Sequence, residues 1–270
     1  MLTDTHAHLD FPQLAADVEG VIARAEAAGV RRIITIGTSL EGSRRAVALA
    51  ERFPQVWAAV GIHPNSATEA GEDFLPELRA LAAHPRVVAI GETGVDYFHL
   101  PGRELAPELA EAADARSKRM QAAAFRAQLA LAEELGLPVV IHERGAWEAT
   151  LEVLREFTGR VRGVFHCFGK SPAHAAEVRA LGHLVSFTGI VTFKNAPEAQ
   201  ASAAVVPELM VETDAPFLAP VPHRGKPCEP AYTRLTAEHI ARLRGVTLEE
   251  FAAHTEAVAE AFFRFGQRGK

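Results

Sequence analysis

Short β-branched runs alternate with longer amphipathic runs along most of the chain. The β-branched runs have the length of strands, and eight of them can be recognised. The predicted strands are Leu2–Thr5, Arg32–Ile36, Val56–Ile62, Val87–Gly91, Pro138–Ile141, Gly163–Phe165, Leu184–Phe187 and Leu209–Glu212.

The segments between these strands are rich in Ala, Leu, Glu and Arg, with apolar residues at helical spacing. Several end at a residue that stops a helix, such as Gly29, Pro54 or Gly136. The predicted helices are Asp17–Ala28, Ser43–Arg52, Phe74–Ala83, Arg119–Leu135, Trp147–Phe157, Pro172–Leu181 and Thr233–Leu243, with one or two closing helices in Thr247–Phe265.

Eight strands alternating with helices predict the α/β class and a TIM-type (β/α)8 barrel, built as a single domain over residues 1–270. An open doubly wound sheet is the alternative, although it seldom needs eight regular units. Residues 97–116 are too many for a short connection, so we predict a loop insertion near the active-site face, with room for a small helix. A mobile insertion without a function is the competing interpretation.

Composition narrows the class of protein. The chain has 270 residues, 48% of them hydrophobic, and a net charge of −6, which argues against a broad surface for nucleic acid. A phosphodiester substrate stays open, because bound cations would add positive charge where the phosphate lies. No apolar run approaches the roughly 18 residues of a membrane span, and no positive segment follows Met1. We therefore expect a cytoplasmic protein without membrane contact, a monomer or weak oligomer.

Metal-binding residue types follow six of the eight predicted strands. In a parallel barrel, the residues just past the C-terminal end of each strand converge on one site. His6 and His8 project to the same side because alternate residues of a strand share a face. The other candidates at strand ends are His63, Glu92, Asp96, His142, Arg144, His166, Glu212 and Asp214.

Histidine nitrogens mixed with carboxylate oxygens suit Zn²⁺, Mn²⁺, Co²⁺ or Ni²⁺ and tolerate Mg²⁺. Glu92 has two oxygens and can bridge two cations, and Asp214 can both bind a cation and accept a proton from water. We therefore name Asp214 and Glu92 as catalytic candidates. Structural roles compete with these: an N-cap or ion pair for Glu92, an N-cap before Pro216 for Asp214, and hydrogen-bonded structural histidines for His142 and His166.

The two cysteines, Cys167 and Cys228, cannot form a disulfide framework. They could pair with each other, but a reduced compartment is the simpler interpretation. Cys167 adjoins His166, which raises the possibility of a nucleophilic thiol. Strand alternation predicts instead that Cys167 points away from the site and packs.

Taken together, the motifs resemble the TatD family of metal-dependent deoxyribonucleases, which are amidohydrolase-like TIM barrels. The resemblance runs nearly end to end and in the same order. Its motifs are His6-Ala7-His8-Leu9-Asp10, Gly61-Ile62-His63-Pro64, Gly91-Glu92-Thr93-Gly94-Val95-Asp96-Tyr97, Ile141-His142, His166-Cys167-Phe168, Glu212-Thr213-Asp214-Ala215-Pro216 and Pro222-His223-Arg224-Gly225-Lys226.

The resemblance implies two divalent metal ions, one held by His6, His8, Glu92 and Asp214 and the other by Glu92, His142 and His166. It implies hydrolysis of phosphodiester bonds, with single-stranded DNA as substrate and 3′→5′ exonuclease action. It also implies that the near-site residues orient ligands or contact phosphate. These residues are His63, Asp96, Arg144, Glu212 and Arg224.

The chain departs from the family pattern in the loop from Phe98 to Ala115, which is longer than expected, and in Cys228, which stands in a segment where the family has Arg-Asn before Glu-Pro. Two other functions compete. A barrel amidohydrolase or esterase, such as a D-aminoacyl-tRNA deacylase, could use the same metal centre. A non-catalytic nucleic-acid-binding protein is the third hypothesis, and the intact ligand set disfavours it.

Overall fold

Eight parallel strands form one barrel in a computed structural model, which describes residues 1–71 and 73–267. Residues 72 and 268–270 of the predicted domain lie outside that range. Each strand pairs with the next in chain order, and a parallel bridge between Ala7 and Ala215 returns the barrel to its first strand. The TIM-type (β/α)8 prediction is confirmed. The strands are β1 (Leu2–Ala7), β2 (Val30–Ile36), β3 (Val56–Val60), β4 (Val87–Asp96), β5 (Val139–Arg144), β6 (Gly163–Phe165), β7 (Leu184–Phe187) and β8 (Leu209–Val211).

Helices connect the strands and cover the outside of the barrel. No helix in the described ranges is long and apolar enough to cross a membrane. Short 3₁₀ turns lie at Pro64–Ser66, Pro101–Glu104, Gly189–Thr192 and Pro230–Tyr232. The α-helices of the described residues are α1 (Pro12–Ala15), α2 (Val18–Ala27), α3 (Leu40–Arg52), α4 (Ala67–Ala70), α5 (Leu75–Ala82), α6 (Pro107–Leu135), α7 (Trp147–Arg155), α8 (Pro172–Ala180), α9 (Pro197–Val205), α10 (Thr233–Arg244) and α11 (Leu248–Phe263).

The main differences from the predicted elements lie at α6, α9 and β4. Helix α6 begins at Pro107 rather than Arg119, so only residues 97–106 of the predicted insertion form a loop. Proline at the first helical position and the Ala- and Glu-rich sequence after it favour this earlier start. Helix α9 has no apolar stripe that would predict it, because its sequence is dominated by small residues. Strand β4 continues past Gly91 to Asp96.

The hydrophobic core divides by the alternation of the strands. Ile33 of β2 belongs to the larger cluster, which packs strands against the surrounding helices. Ile34 belongs to a second cluster with Val140, Val164 and Met210, and aromatic residues of the C-terminal segment join it. The Phe265 ring of that segment contacts Trp57, near the N-terminal end of β3. The interior of the barrel at this end is therefore filled mainly with apolar side chains, and the candidate site residues lie at the opposite end.

Two glycines let β4 approach β5 closely. Gly91 and Gly94 have φ angles of +132° and +147°, which residues with a Cβ rarely adopt. A Cβ on Gly94 would lie 2.0 Å from the carbonyl oxygen of His142, and a Cβ on Gly91 would lie 2.6 Å from that of Val140. The glycines thereby fix Glu92, which stands between them, against the strand that carries His142.

Replacing Gly94 with alanine is therefore expected to destabilise the protein by at least about 2 kcal/mol, since the new Cβ meets backbone rather than a flexible side chain. Urea unfolding followed by circular dichroism measures the change. The matched control is Gly169→Ala, because a Cβ there meets nothing nearer than 4.0 Å. Equal stability of the two variants would contradict the close approach.

His183 joins the N-terminal ends of β6 and β7. It is 1% exposed, and its Nδ1 accepts a hydrogen bond of 2.9 Å from the Gly163 N–H. The proton of the neutral ring therefore lies on Nε2, which is buried and has no hydrogen-bond partner among the residues that the structure describes. Burial lowers the pKa of His183 to about 4.

This shift predicts a loss of stability in acid. The unfolded chain binds a proton at His183 below about pH 6.5, whereas the folded protein resists protonation until about pH 4. The contribution of His183 to the free energy of unfolding is therefore fully present above pH 6.5. It falls by about 3 kcal/mol as the pH drops toward 4. His183→Asn keeps an acceptor for Gly163 but cannot ionise. Urea unfolding at pH 7 and 4.5 should show a smaller loss for this variant, and an identical loss in both proteins would contradict the assignment.

Candidate metal centre

Six side chains from six different places in the sequence meet at the C-terminal end of the barrel. Each comes from a strand or from the first residues after one. The six are His6, His8, Glu92, His142, His166 and Asp214. The structure thus brings together every ligand candidate named from the sequence, while their binding of a metal stays a prediction.

The first donor set consists of His6, His8 and Asp214. The Nε2 atoms of the two histidines lie 3.3 Å apart, and Asp214 Oδ1 is 3.6 Å from the one and 3.3 Å from the other. Ligand atoms bound at 2.0–2.1 Å around a tetrahedral cation lie about 3.4 Å apart. The spacing of this set therefore matches the ligands of one cation.

Glu92, His142 and His166 form the second donor set. Glu92 Oε1 lies 2.7 Å from His142 Nδ1 and 2.8 Å from His166 Nε2. The other carboxylate oxygen, Oε2, lies 3.4 Å from His6 Nε2 of the first set. One oxygen of Glu92 therefore faces each set, which is the arrangement of a carboxylate that bridges two cations.

Neighbouring acceptors leave the inward nitrogen of two of these histidines available to a metal. His8 Nδ1 donates to the carbonyl oxygen of Ile36 at 3.2 Å, which leaves a lone pair on Nε2. His142 Nε2 lies 3.3 Å from Asp96 Oδ2, and its Nδ1 points to Glu92. Acceptors on the outer nitrogen are typical of metal-binding histidines. The residues present therefore fit a divalent metal centre.

The charges around the centre keep its carboxylates ionised. Burial alone would raise the pKa of Glu92, but the surrounding histidines, His166 foremost, lower it well below its ordinary value. Burial would likewise raise the pKa of Asp214, but the hydrogen bond with His8 and neighbouring histidine charges lower it. Both carboxylates are therefore anionic at neutral pH and available to cations.

The Asp4 carboxylate, which was not among the predicted site residues, positions two segments of the centre through hydrogen bonds. Its Oδ1 accepts hydrogen bonds from the backbone N–H groups of Thr213 at 3.0 Å and His6 at 3.3 Å, and its Oδ2 accepts from the Thr213 hydroxyl at 2.6 Å. Burial raises the pKa of Asp4 to about 7. A carboxylate inside a strand whose six residues are all buried was the signal for this role. Through Thr213, Asp4 holds the turn on which Asp214 takes its left-handed φ of +58°.

The donor sets lie at the floor of an open cavity of about 720 Å³. Of the near-site residues predicted from the sequence, His63, Asp96 and Arg144 line this cavity.

The other two predicted near-site residues lie outside the lining. Glu212 lies behind His166, with its Oε1 3.5 Å from His166 Nδ1. Arg224 is not part of the lining, and its guanidinium lies 4.3 Å over the ring of Phe193. The lining residues that the sequence analysis missed include Phe11, His99 and Phe217.

Cys167 does not point away from the site as predicted, but lines the cavity. The alternation of β6 ends at Phe165, and Cys167 adopts a left-handed φ of +50°, so the strand pattern no longer applies to it. Burial raises the pKa of its thiol to about 12. A protonated thiol is a poor nucleophile. Cys167 and Cys228 are both free, so no disulfide joins them.

The chain is similar to proteins of one family along nearly its whole length. The model of the TatD-related DNase family matches residues 3–264. The uncharacterized metal-dependent hydrolase YabD of Bacillus subtilis is 40% identical and is matched over 98% of this chain and 99% of its own. The 3′-5′ ssDNA/RNA exonuclease TatD of Enterobacter lignolyticus is 35% identical over 96% of this chain and 98% of its own. The crystal structure of YJJV, a TatD homologue of Escherichia coli K12, is 30% identical with a TM-score of 0.85, covering 97% of this chain and 98% of that one.

Metal analysis of purified variants tests the two donor sets. We expect about two divalent ions per chain in the unaltered protein, a loss of one in His166→Ala and a loss of both in Glu92→Gln, because Glu92 faces both sets. Inductively coupled plasma mass spectrometry after gel filtration gives the content. His84→Ala is the control, since His84 pairs with Glu51 away from the cavity. Full metal content in Glu92→Gln would contradict a bridging role.

Proposed function

The chain belongs to the TatD-related DNase family and is a metal-dependent hydrolase, and from this premise we propose that it hydrolyses phosphodiester bonds of single-stranded DNA from the 3′ end. One observation carries the proposal. Glu92 turns one oxygen to each of two donor sets at the floor of an open cavity. Two cations held by the two donor sets would suit the in-line displacement of phosphodiester hydrolysis. The name of the Enterobacter relative supports the substrate and the polarity.

The proposed ligands fall into two groups that share one residue. His6, His8, Glu92 and Asp214 hold one cation, and Glu92, His142 and His166 hold the other. When bound, Zn²⁺, Mn²⁺, Co²⁺, Ni²⁺ or Mg²⁺ supplies Lewis acidity and positive charge at the phosphate. This charge resolves the conflict between an acidic protein and a polyanionic substrate, because it is confined to the cavity floor.

Asp214 is the proposed general base. It lines the cavity, its side chain is 14% exposed, and its lowered pKa keeps it anionic. It can therefore accept the proton of the attacking water while one of its oxygens faces His6 and His8. Glu92 is buried between the two donor sets, where it would bind both cations and fix their positions relative to each other.

The remaining near-site residues are proposed to position ligands or substrate. Asp96 and Glu212 lie against the outer nitrogens of His142 and His166 and fix the ring orientations. His63 lies 3.5 Å from Glu92 Oε1. Burial lowers the pKa of His63 to about 3, so it acts as a neutral ring.

The two arginines are proposed to contact phosphate. Arg144 would do so in the cavity, and Arg224 could meet the strand only outside it. The expected cytoplasmic location and monomeric or weakly oligomeric state stay predictions.

A nuclease assay on 3′- and 5′-labelled single-stranded DNA with Mn²⁺ or Mg²⁺ tests the proposal. We expect release of mononucleotides from the 3′ end, and a fall in kcat of roughly 10²–10⁴-fold in Asp214→Asn, which cannot accept the proton. His84→Ala should retain full activity. Turnover of small amides or D-aminoacyl esters without DNA cleavage would favour a barrel amidohydrolase or a deacylase instead.

A further inference from the structure

An aromatic ring on the loop formed by residues 97–106 carries two guanidinium groups beside the cavity. Phe98 is 43% exposed, and the Cζ atoms of Arg103 and Arg144 each lie 4.3 Å from the centre of its ring. A guanidinium over an aromatic face is held by cation–π attraction. Both guanidinium groups are therefore held in position before any ligand binds, which lowers the conformational entropy lost on binding.

Neither guanidinium has a carboxylate partner among the residues that the structure describes. Most arginines with a defined contact in this acidic chain are paired, as Arg126 is with Glu156 at 2.6 Å and Arg160 with Glu133 at 2.8 Å. The planar forks of Arg103 and Arg144 keep free N–H donors for an anion. Two unpaired guanidiniums on one ring form a cationic patch, in contrast to the net charge of −6 of the whole chain.

The patch is tied directly to the metal centre. Asp96 Oδ1 accepts hydrogen bonds from the backbone N–H groups of Phe98 at 2.8 Å and His99 at 2.9 Å, while Oδ2 of the same carboxylate lies 3.3 Å from His142 Nε2. Arg144 follows His142 by two residues in β5. Alternate residues of a strand face the same side about 7 Å apart. An anion bound to Arg144 would therefore lie close to a phosphate bound beside His142, at about the separation of two alternate strand residues.

We propose that Phe98, Arg103 and Arg144 form a subsite for a second phosphate of the single strand, next to the one being hydrolysed; this rests on the proposed function. Guanidinium forks match phosphate oxygens in bidentate geometry, and free donors beside the cavity meet the strand where it leaves the metals. Phe98 is a positioning residue, since it holds both guanidiniums and its own ring faces them. The subsite sets the affinity for polynucleotides, and it is not needed for a substrate with a single phosphate.

Arg103→Gln tests the subsite, because Arg103 touches none of the proposed metal ligands. Steady-state kinetics are measured on a ten-nucleotide single strand and on bis(p-nitrophenyl) phosphate, which has one phosphate only. The matched control is Arg31→Gln, an exposed arginine at the N-terminal end of β2, on the opposite face of the barrel. Binding of a phosphorothioate strand at several salt concentrations gives a second readout.

The subsite predicts a roughly five- to tenfold increase in KM for the ten-nucleotide strand in Arg103→Gln, with kcat unchanged. Binding of the phosphorothioate strand to Arg103→Gln should depend less on salt. The slope of the logarithm of the binding constant against the logarithm of the salt concentration should be smaller by about 0.7, as expected for one lost phosphate contact on a single strand. Hydrolysis of bis(p-nitrophenyl) phosphate should not change, and Phe98→Ala should resemble Arg103→Gln.

Three results would overturn the subsite. The first is a KM for the strand in Arg103→Gln equal to that in Arg31→Gln. The second is an equal loss on both substrates, which would mean that the variant disturbs the centre itself. The third is an unaltered protein that hydrolyses the small diester but no single strand, and this outcome removes the proposed function together with the subsite. Only the third involves the unaltered protein, so the two failures are distinguishable.

Discussion

The burial of charge at one end of the barrel is the constraint on which the rest of the structure depends. Glu92 is 2% exposed and is surrounded by histidines from four other strand ends. An isolated carboxylate at such a position would lose its hydration and take up a proton. Here its pKa is lowered instead, because the neighbouring histidine rings, His166 foremost, stabilise the anion. The site is therefore built to hold positive charge against anionic oxygen.

The barrel satisfies this constraint through its closure and through close contacts between strands. Asp4 in β1 holds Thr213, so the junction between the last strand and the first also positions Asp214. Gly91 and Gly94 bring the backbone of β4 against β5, which places Glu92 beside His142. The opposite end of the barrel is filled with apolar side chains. The same scaffold thus separates a region that provides stability from a region that carries chemistry.

The sequence predicted the barrel and its strand-end candidates because both follow from local periodicity. His6 and His8 share a face by alternation, and the order of strands in a parallel barrel decides which ends converge. Features that depend on three-dimensional contacts were out of reach. Asp4 looks like one polar residue in a strand until its partner 209 positions later is known. Cys167 broke the alternation through its φ angle, and the stacking of Arg103 on Phe98 depends on the path of a loop.

The Glu92 carboxylate is proposed to be shared by two cations at the floor of the cavity. X-ray diffraction from crystals grown with Mn²⁺ or Zn²⁺, recorded on both sides of the metal absorption edge, tests it most directly. Two anomalous peaks are expected, one on each side of the Glu92 carboxylate, each within about 2.0–2.3 Å of the carboxylate oxygen and the histidine nitrogens that face it. One peak should adjoin His6, His8 and Asp214, and the other His142 and His166. A single peak, or peaks away from Glu92, would contradict the sharing of Glu92 by two cations.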